Sequence, residues 1–70
     1  MKPDIHIHEL KYHACDRGDF FLHCKSYGGC IPFCVFSIET EIDDQYVEIY
    51  ANCDIEETMI KWHEITEHFA

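Results

Sequence analysis

The chain predicts an α+β fold, a four-stranded antiparallel β-meander of two hairpins covered by one C-terminal helix. Two stretches of alternating polarity each double back around a turn signal. The last segment instead spaces its apolar residues at a helical period. A chain of 70 residues with 47% hydrophobic and 14% aromatic composition is too apolar for a disordered acidic tail and can build one core. Residues 1–70 are therefore read as a single small domain.

The first hairpin is signalled by Asp16-Arg17-Gly18, read as a three-residue loop whose last position needs the positive φ that glycine adopts without steric cost. That register pairs Ala14 with Phe20, Tyr12 with Leu22 and Leu10 with Cys24 on one apolar face. It pairs His13 with Phe21, Lys11 with His23 and Glu9 with Lys25 on the other, ending in opposite charges. Strands are expected near 7–15 and 19–26. Ile5 and Ile7 then fall on the face away from Leu10 and Tyr12, which a bulge or burial against a second subunit would explain.

Gly28-Gly29 and Pro32 mark a loop, after which Phe33 to Ile42 alternates again. Cys34, Phe36, Ile38 and Ile42 point one way, and Ser37, Glu39, Glu41 and Asp43 the other. Asp44-Gln45 is the expected turn, with Val47, Ile49 and Ala51 inward on the return strand. This register sets Ile42 opposite Val47 and Glu41 opposite Glu48, a like-charge pair that costs stability on an outward face also carrying Tyr46 and Tyr50.

Asn52 or Asp54 can cap the final helix, with Glu56 and Glu57 favourably placed in its first turn. Ile55, Met59, Trp62, Ile65, Thr66 and Phe69 share one stripe. Glu56, Glu57, Ile60, Glu64 and Glu67 share the opposite one. Trp62 is expected on the sheet.

The net charge of −9 is confined to the second half, where ten carboxylates face Lys61 alone; the first 35 residues are neutral. Such an acidic chain offers no footprint for phosphate backbones or anionic lipid, which excludes direct nucleic-acid and membrane binding as expectations. Attraction runs toward basic protein surfaces, and the grooves in which proteins hold DNA or RNA are the commonest of these. The expected contact residues are Glu39, Glu41, Asp43, Asp44, Tyr46, Glu48 and Tyr50 from the hairpin, with Glu56, Glu57, Ile60, Glu64 and Glu67 from the helix. An acidic rim would steer the partner and the apolar centres would supply buried area. Should the two groups lie on opposite faces, the hairpin is the expected site.

In size, charge and plain α+β build the chain is similar to inhibitors encoded by phages and other mobile elements, such as anti-CRISPR and anti-restriction proteins. That resemblance implies a cytoplasmic, stoichiometric inhibitor, monomeric or homodimeric, acting in a host cell as a partial nucleic-acid mimic. No motif accompanies it, so it assigns no residue a role.

The first half gathers His6, His8, His13, His23, Cys15, Cys24, Cys30 and Cys34. His13, Cys15, Cys30 and Cys34 are the alternative reading, ligands of a structural zinc in a small interaction or regulatory domain. No Cys-x2-Cys knuckle supports it, so the expectation is no cofactor. Five cysteines, an odd number, and the absence of an apolar signal core both fit a reducing, cytosolic setting. Enzymatic function is not expected. Cys15 with His13, or Cys53 with His63, could formally form a nucleophile pair, but no Walker A loop, dinucleotide fingerprint or His-Glu-x-x-His is present. Arg17-Gly18-Asp19 is read as a hairpin tip.

Overall fold

The computed structural model describes residues 5–16, 18–28 and 33–68. Strands β1 (Ile5–Cys15), β2 (Gly18–Tyr27), β3 (Phe33–Ile42) and β4 (Gln45–Asn52) form one antiparallel sheet in sequence order, followed by helix α1 (Ile55–His68). This is the expected meander and covering helix. The loop expected around Gly29 and Pro32, the side chains of Arg17 and Cys30, and Phe69 lie outside the described residues.

The register of the first hairpin differs from the expected one. Cys15 pairs with Gly18, so two residues rather than three connect the strands, and His13 faces Phe20 while Tyr12 faces Phe21. Gly18 does take a positive φ, 132°, but as the first residue of β2 rather than within the loop. A one-residue slip moves every side chain to the opposite face. Phe20 and Leu22 point toward the helix and Phe21 and His23 away from it, as expected, and the slip reverses the β1 residues opposite them, so that Tyr12 joins Phe21 and His13 joins Phe20. A second irregularity lies between Glu9 and Lys11, where Leu10 is an extra residue. This bulge returns Ile5 and Ile7 to the face of Tyr12 and Phe21, and sends His6 and His8 to the helix side.

The second hairpin turns at Asp43-Asp44, not Asp44-Gln45, and Ile42 pairs with Gln45. Glu41 faces Tyr46, Thr40 faces Val47, and Glu39 faces Glu48, which corrects the expected pairing of Glu41 with Glu48. A shift follows between Ile38 and Glu39, so Ile38 faces Tyr50 and Ile49 is the extra residue. Asp43 and Asp44 have φ of 52° and 64°. Positive φ at both central positions is the type I′ arrangement, whose twist matches the flanking strands. Aspartate tolerates this region less readily than asparagine followed by glycine. Replacing the pair by Asn-Gly (D43N/D44G) is expected to stabilise the fold by about 1 kcal/mol. A higher urea midpoint with unchanged slope would show this; an unchanged midpoint would mean that the turn carries no strain.

The core joins Phe20 and Leu22 of β2, Ile38 of β3 and Trp62 of α1, with Cys15, Tyr50, Met59 and Ile65 packed around them. Trp62 thus sits on the sheet as its place in the helical stripe predicts. Thr58, absent from the expected stripe, is fully buried beside it. Its hydroxyl and N–H donate to the Asp54 carbonyl at 2.8 and 3.1 Å. Asp54 is the cap: its Oδ1 accepts from the N–H groups of Glu56 and Glu57 at 2.9 and 3.5 Å. Asn52 supports it by accepting from the Asp54 N–H at 2.9 Å.

One 14-residue helix cannot cover four strands of this length. The radius of gyration, 13.0 Å, exceeds the roughly 11 Å of a compact chain of this size. The excess lies in sheet surface that no helix covers, and that surface carries the candidate site.

Candidate docking surface

On the helix-free face of the sheet the two register corrections bring Tyr12 opposite Phe21 and Tyr46 opposite Glu41. Phe21 lies near the centre of that face and is only 6% exposed, although no helix or second sheet among the described residues covers it. Its shielding comes from neighbours on the same face. Tyr12 of β1 lies with its ring centroid 5.1 Å from that of Phe21, and Tyr46 of β4 approaches from the other side at 5.1 Å, edge-on at 88°. His23 stacks on Phe21 at 5.8 Å and meets Tyr46 at 5.7 Å. Tyr12 and Tyr46 themselves remain 52% and 58% exposed. Phe21 is thus the floor of a shallow aromatic notch, with the two tyrosines as walls.

Carboxylates surround the notch. Glu41 is directly opposite Tyr46, Asp19 accepts a hydrogen bond from the Tyr12 hydroxyl, and Glu48 lies two residues from Tyr46 on the same strand. The Asp19 hydrogen bond, then burial and the fields of Asp19, Glu41 and Glu9, push the Tyr12 phenol above its ordinary range. The hydroxyl therefore experiences a negative field converging from three strands.

Glu39 was expected among the exposed contact residues and is instead buried, with Lys25 Nζ 2.7 Å from its Oε1. Ser37 donates to the same oxygen at 3.1 Å, and His23 Nδ1 is 3.4 Å from Oε2 without an aligned hydrogen bond. Burial raises the Glu39 carboxyl, but the hydrogen bond and field of Lys25, with Ser37 and His23, outweigh it and hold the group below the usual carboxylate range. Lys25 is correspondingly raised, first by its hydrogen bond to Glu39, against the cost of burial and with further help from the fields of Glu39 and Glu48. The like-charge opposition of Glu39 and Glu48 is thus relieved by Lys25 lying between their fields. No external partner is needed to explain it.

Tyr50 also differs from its expected place. The shift at Ile49 turns it to the helix side, where it packs against the core and its hydroxyl accepts from Asn52 Nδ2 at 3.0 Å. Glu41, Asp43, Asp44, Tyr46 and Glu48 remain exposed, and every residue from Glu41 to Ile49 is exposed. Four of those nine side chains are carboxylates, interleaved with Ile42, Tyr46, Val47 and Ile49. Glu56, Glu57, Ile60, Glu64 and Glu67 are also exposed, but on α1, across the sheet from Glu48 and Tyr46. Lys61 lies 3.5 Å from Glu64 and reduces the charge there. The two acidic groups are separate surfaces.

The alternative zinc ligands are not gathered. Cys15 pairs with Gly18 and Cys34 with Ser26, eight residues along β2 or about 26 Å apart. Cys30 is outside the described residues. Among the described residues no three histidine, cysteine, aspartate or glutamate side chains converge as a metal site. Cys15 Sγ donates to the Gly18 carbonyl at 2.9 Å, which suits a packing role. No helix among the described residues is long and apolar enough to cross a membrane.

Tyr12 was missed by the sequence reading because the three-residue loop put it on the core face opposite Leu22; Phe21 lies on the outward face expected of it but was expected there opposite His13 rather than Tyr12. The signal that could have placed Tyr12 was the awkward parity of Ile5 and Ile7, which requires the bulge. Comparison with protein-family models, with curated proteins and with solved structures returns no match.

Proposed function

We propose that the chain is a stoichiometric, non-enzymatic binding protein that docks by its β3–β4 hairpin and helix-free sheet face onto a basic groove of a nucleic-acid-handling protein. Occupying that groove with carboxylates would inhibit the target as a partial nucleic-acid mimic. The observation that carries the reading is the run Glu41–Ile49, nine consecutive exposed residues that present Glu41, Tyr46 and Glu48 on the helix-free face and Ile42 and Val47 on the other side of the same hairpin. No lysine or arginine occurs between Lys25 and Lys61 to neutralise it. Carboxylates accelerate encounter with a basic surface, and the apolar residues between them give the docked state its buried area. Solubility alone accounts for the acids but not for Tyr46, exposed between Glu41 and Glu48 on the helix-free face, or for Ile42 and Val47, exposed on the other side of the hairpin. The hairpin is preferred over the helix because Lys61 weakens the helical charge and no comparable apolar cluster surrounds Ile60.

The test is affinity of the purified partner for the wild type and for E41K/E48K, measured at two salt concentrations. Glu41 and Glu48 are exposed, so the double variant should keep its fold. Its affinity is expected to fall at least a hundredfold, and wild-type affinity to fall steeply as salt rises. A salt-independent interaction would leave an ordinary apolar interface and remove the mimic. Unfolding of the double variant would make this face structural.

A further inference from the structure

We propose that the aromatic notch formed by Tyr12, Phe21 and Tyr46 receives an arginine side chain of the partner. This rests on the docking reading above and gives it a specific anchor. The geometry has three parts. Phe21 offers a buried floor, and Tyr12 and Tyr46 stand 5.1 Å from it on either side with more than half their surface open. Asp19, Glu41 and Glu9 direct their fields at the Tyr12 hydroxyl. Glu48 projects on the same face, while Lys25 is engaged with Glu39 and supplies no free cation. Ring faces attract cations through their quadrupole, and carboxylates at the rim add charge-assisted hydrogen bonds.

Arginine fits this combination better than lysine. Its planar guanidinium can lie against a ring while its edge reaches a carboxylate with two N–H donors, and it is less strongly hydrated than an ammonium. A second copy of this chain is a poorer occupant. Pairing two such faces would oppose Glu9, Asp19, Glu41 and Glu48 of one copy to the same carboxylates of the other, and among the described residues the lysine of that face, Lys25, is already engaged with Glu39. Charge complementarity therefore selects a basic partner, and the aromatic walls select its arginines.

The test is an NMR titration of the isotopically labelled protein with acetyl-Arg-Arg-Arg-amide and with its lysine counterpart at equal ionic strength. It is repeated on Tyr46→Leu and Tyr12→Leu. Both tyrosines are largely exposed, and retention of the backbone amide spectrum reports directly that each variant is folded. The expected result is ring-proton shifts at Tyr12, Phe21 and Tyr46, about fivefold tighter binding of the arginine peptide, and loss of that preference in either variant. The arginine-to-lysine ratio on the wild type tests the proposal even if a variant fails to fold. Equal affinities, with shifts at Glu41 and Glu48 but unaffected rings, would overturn the arginine notch and leave the acidic docking reading standing. Shifts confined to Glu56, Glu57, Glu64 and Glu67, or no binding of either peptide, would overturn both.

Discussion

Trp62→Ala is expected to destabilise the fold by about 4 kcal/mol. Trp62 is the buried aromatic of α1, and it closes the core over Phe20, Leu22 and Ile38. Truncating it removes apolar contact and leaves a cavity that a one-helix layer cannot collapse to fill. A 70-residue domain has only about 4 to 10 kcal/mol of net stability, so the variant should sit near its unfolding midpoint without denaturant. Because the chain has one tryptophan, the variant must be followed by far-ultraviolet circular dichroism during urea unfolding. A loss below about 1 kcal/mol would mean that α1 contributes little to holding the sheet.

Lys25→Met should cost about 3 kcal/mol at neutral pH, and its pH dependence is the more informative result. In the wild type the Glu39 carboxyl is lowered, so its contribution is present above about pH 4.5, the unfolded value, and is lost as pH falls through the folded value. Lys25 is raised, so its contribution is present below about pH 10.5 and is lost as pH rises through its folded value. Between those limits the pair is fully stabilising. Without Lys25, burial dominates and the Glu39 carboxyl moves above its usual range. The variant then loses stability as pH rises through that raised value, the reverse of the wild-type slope in the acid range. Urea unfolding at pH 7 and pH 4.5 should show a deficit that shrinks at the lower pH, and adding Glu39→Gln should recover part of it at pH 7. A deficit equal at both values would show that Lys25 acts through packing of its stem instead.

These two substitutions probe opposite sides of one sheet, and the sequence was legible to a different degree on each side. The elements themselves were plain. Alternation in β3, the Asp54 cap and the spacing of Met59, Trp62 and Ile65 each have a local physical cause that needs no knowledge of the rest of the chain. Facing was harder, because it depends on loop length and bulges, where one residue reverses every side chain. Reading Asp16 to Gly18 as a three-residue loop exchanged the roles of Tyr12 and His13, while Phe20 and Phe21 of β2 lie on the faces expected of them. Leu10 and Ile49 are bulges that no residue type announces, since neither is glycine. Glu39 was misplaced for another reason. A carboxylate in an alternating strand reads as outward and solvated, and only tertiary placement of Lys25, 14 positions earlier, makes its burial tolerable.

The corrections change what supports the docking reading. The expected clash of Glu41 with Glu48 does not occur, and the like-charge pair that does occur is relieved internally by Lys25. What remains is the exposed hairpin, with its apolar residues among carboxylates, together with an aromatic notch that the sequence reading had not assembled. The acids and aromatics of the four strands meet on one face because the meander keeps the strands in sequence order, with β3 between β2 and β4. The helical acids stay on the far side.

The central claim is occupancy of a nucleic-acid groove, and displacement tests it most directly. The partner would be preloaded with a fluorescent duplex or single strand, and the protein titrated in while anisotropy is followed. Release of the nucleic acid at one equivalent, lost with E41K/E48K and retained when Glu57 and Glu64 are reversed, is the result this account predicts. Binding of the protein with the nucleic acid still in place would contradict it.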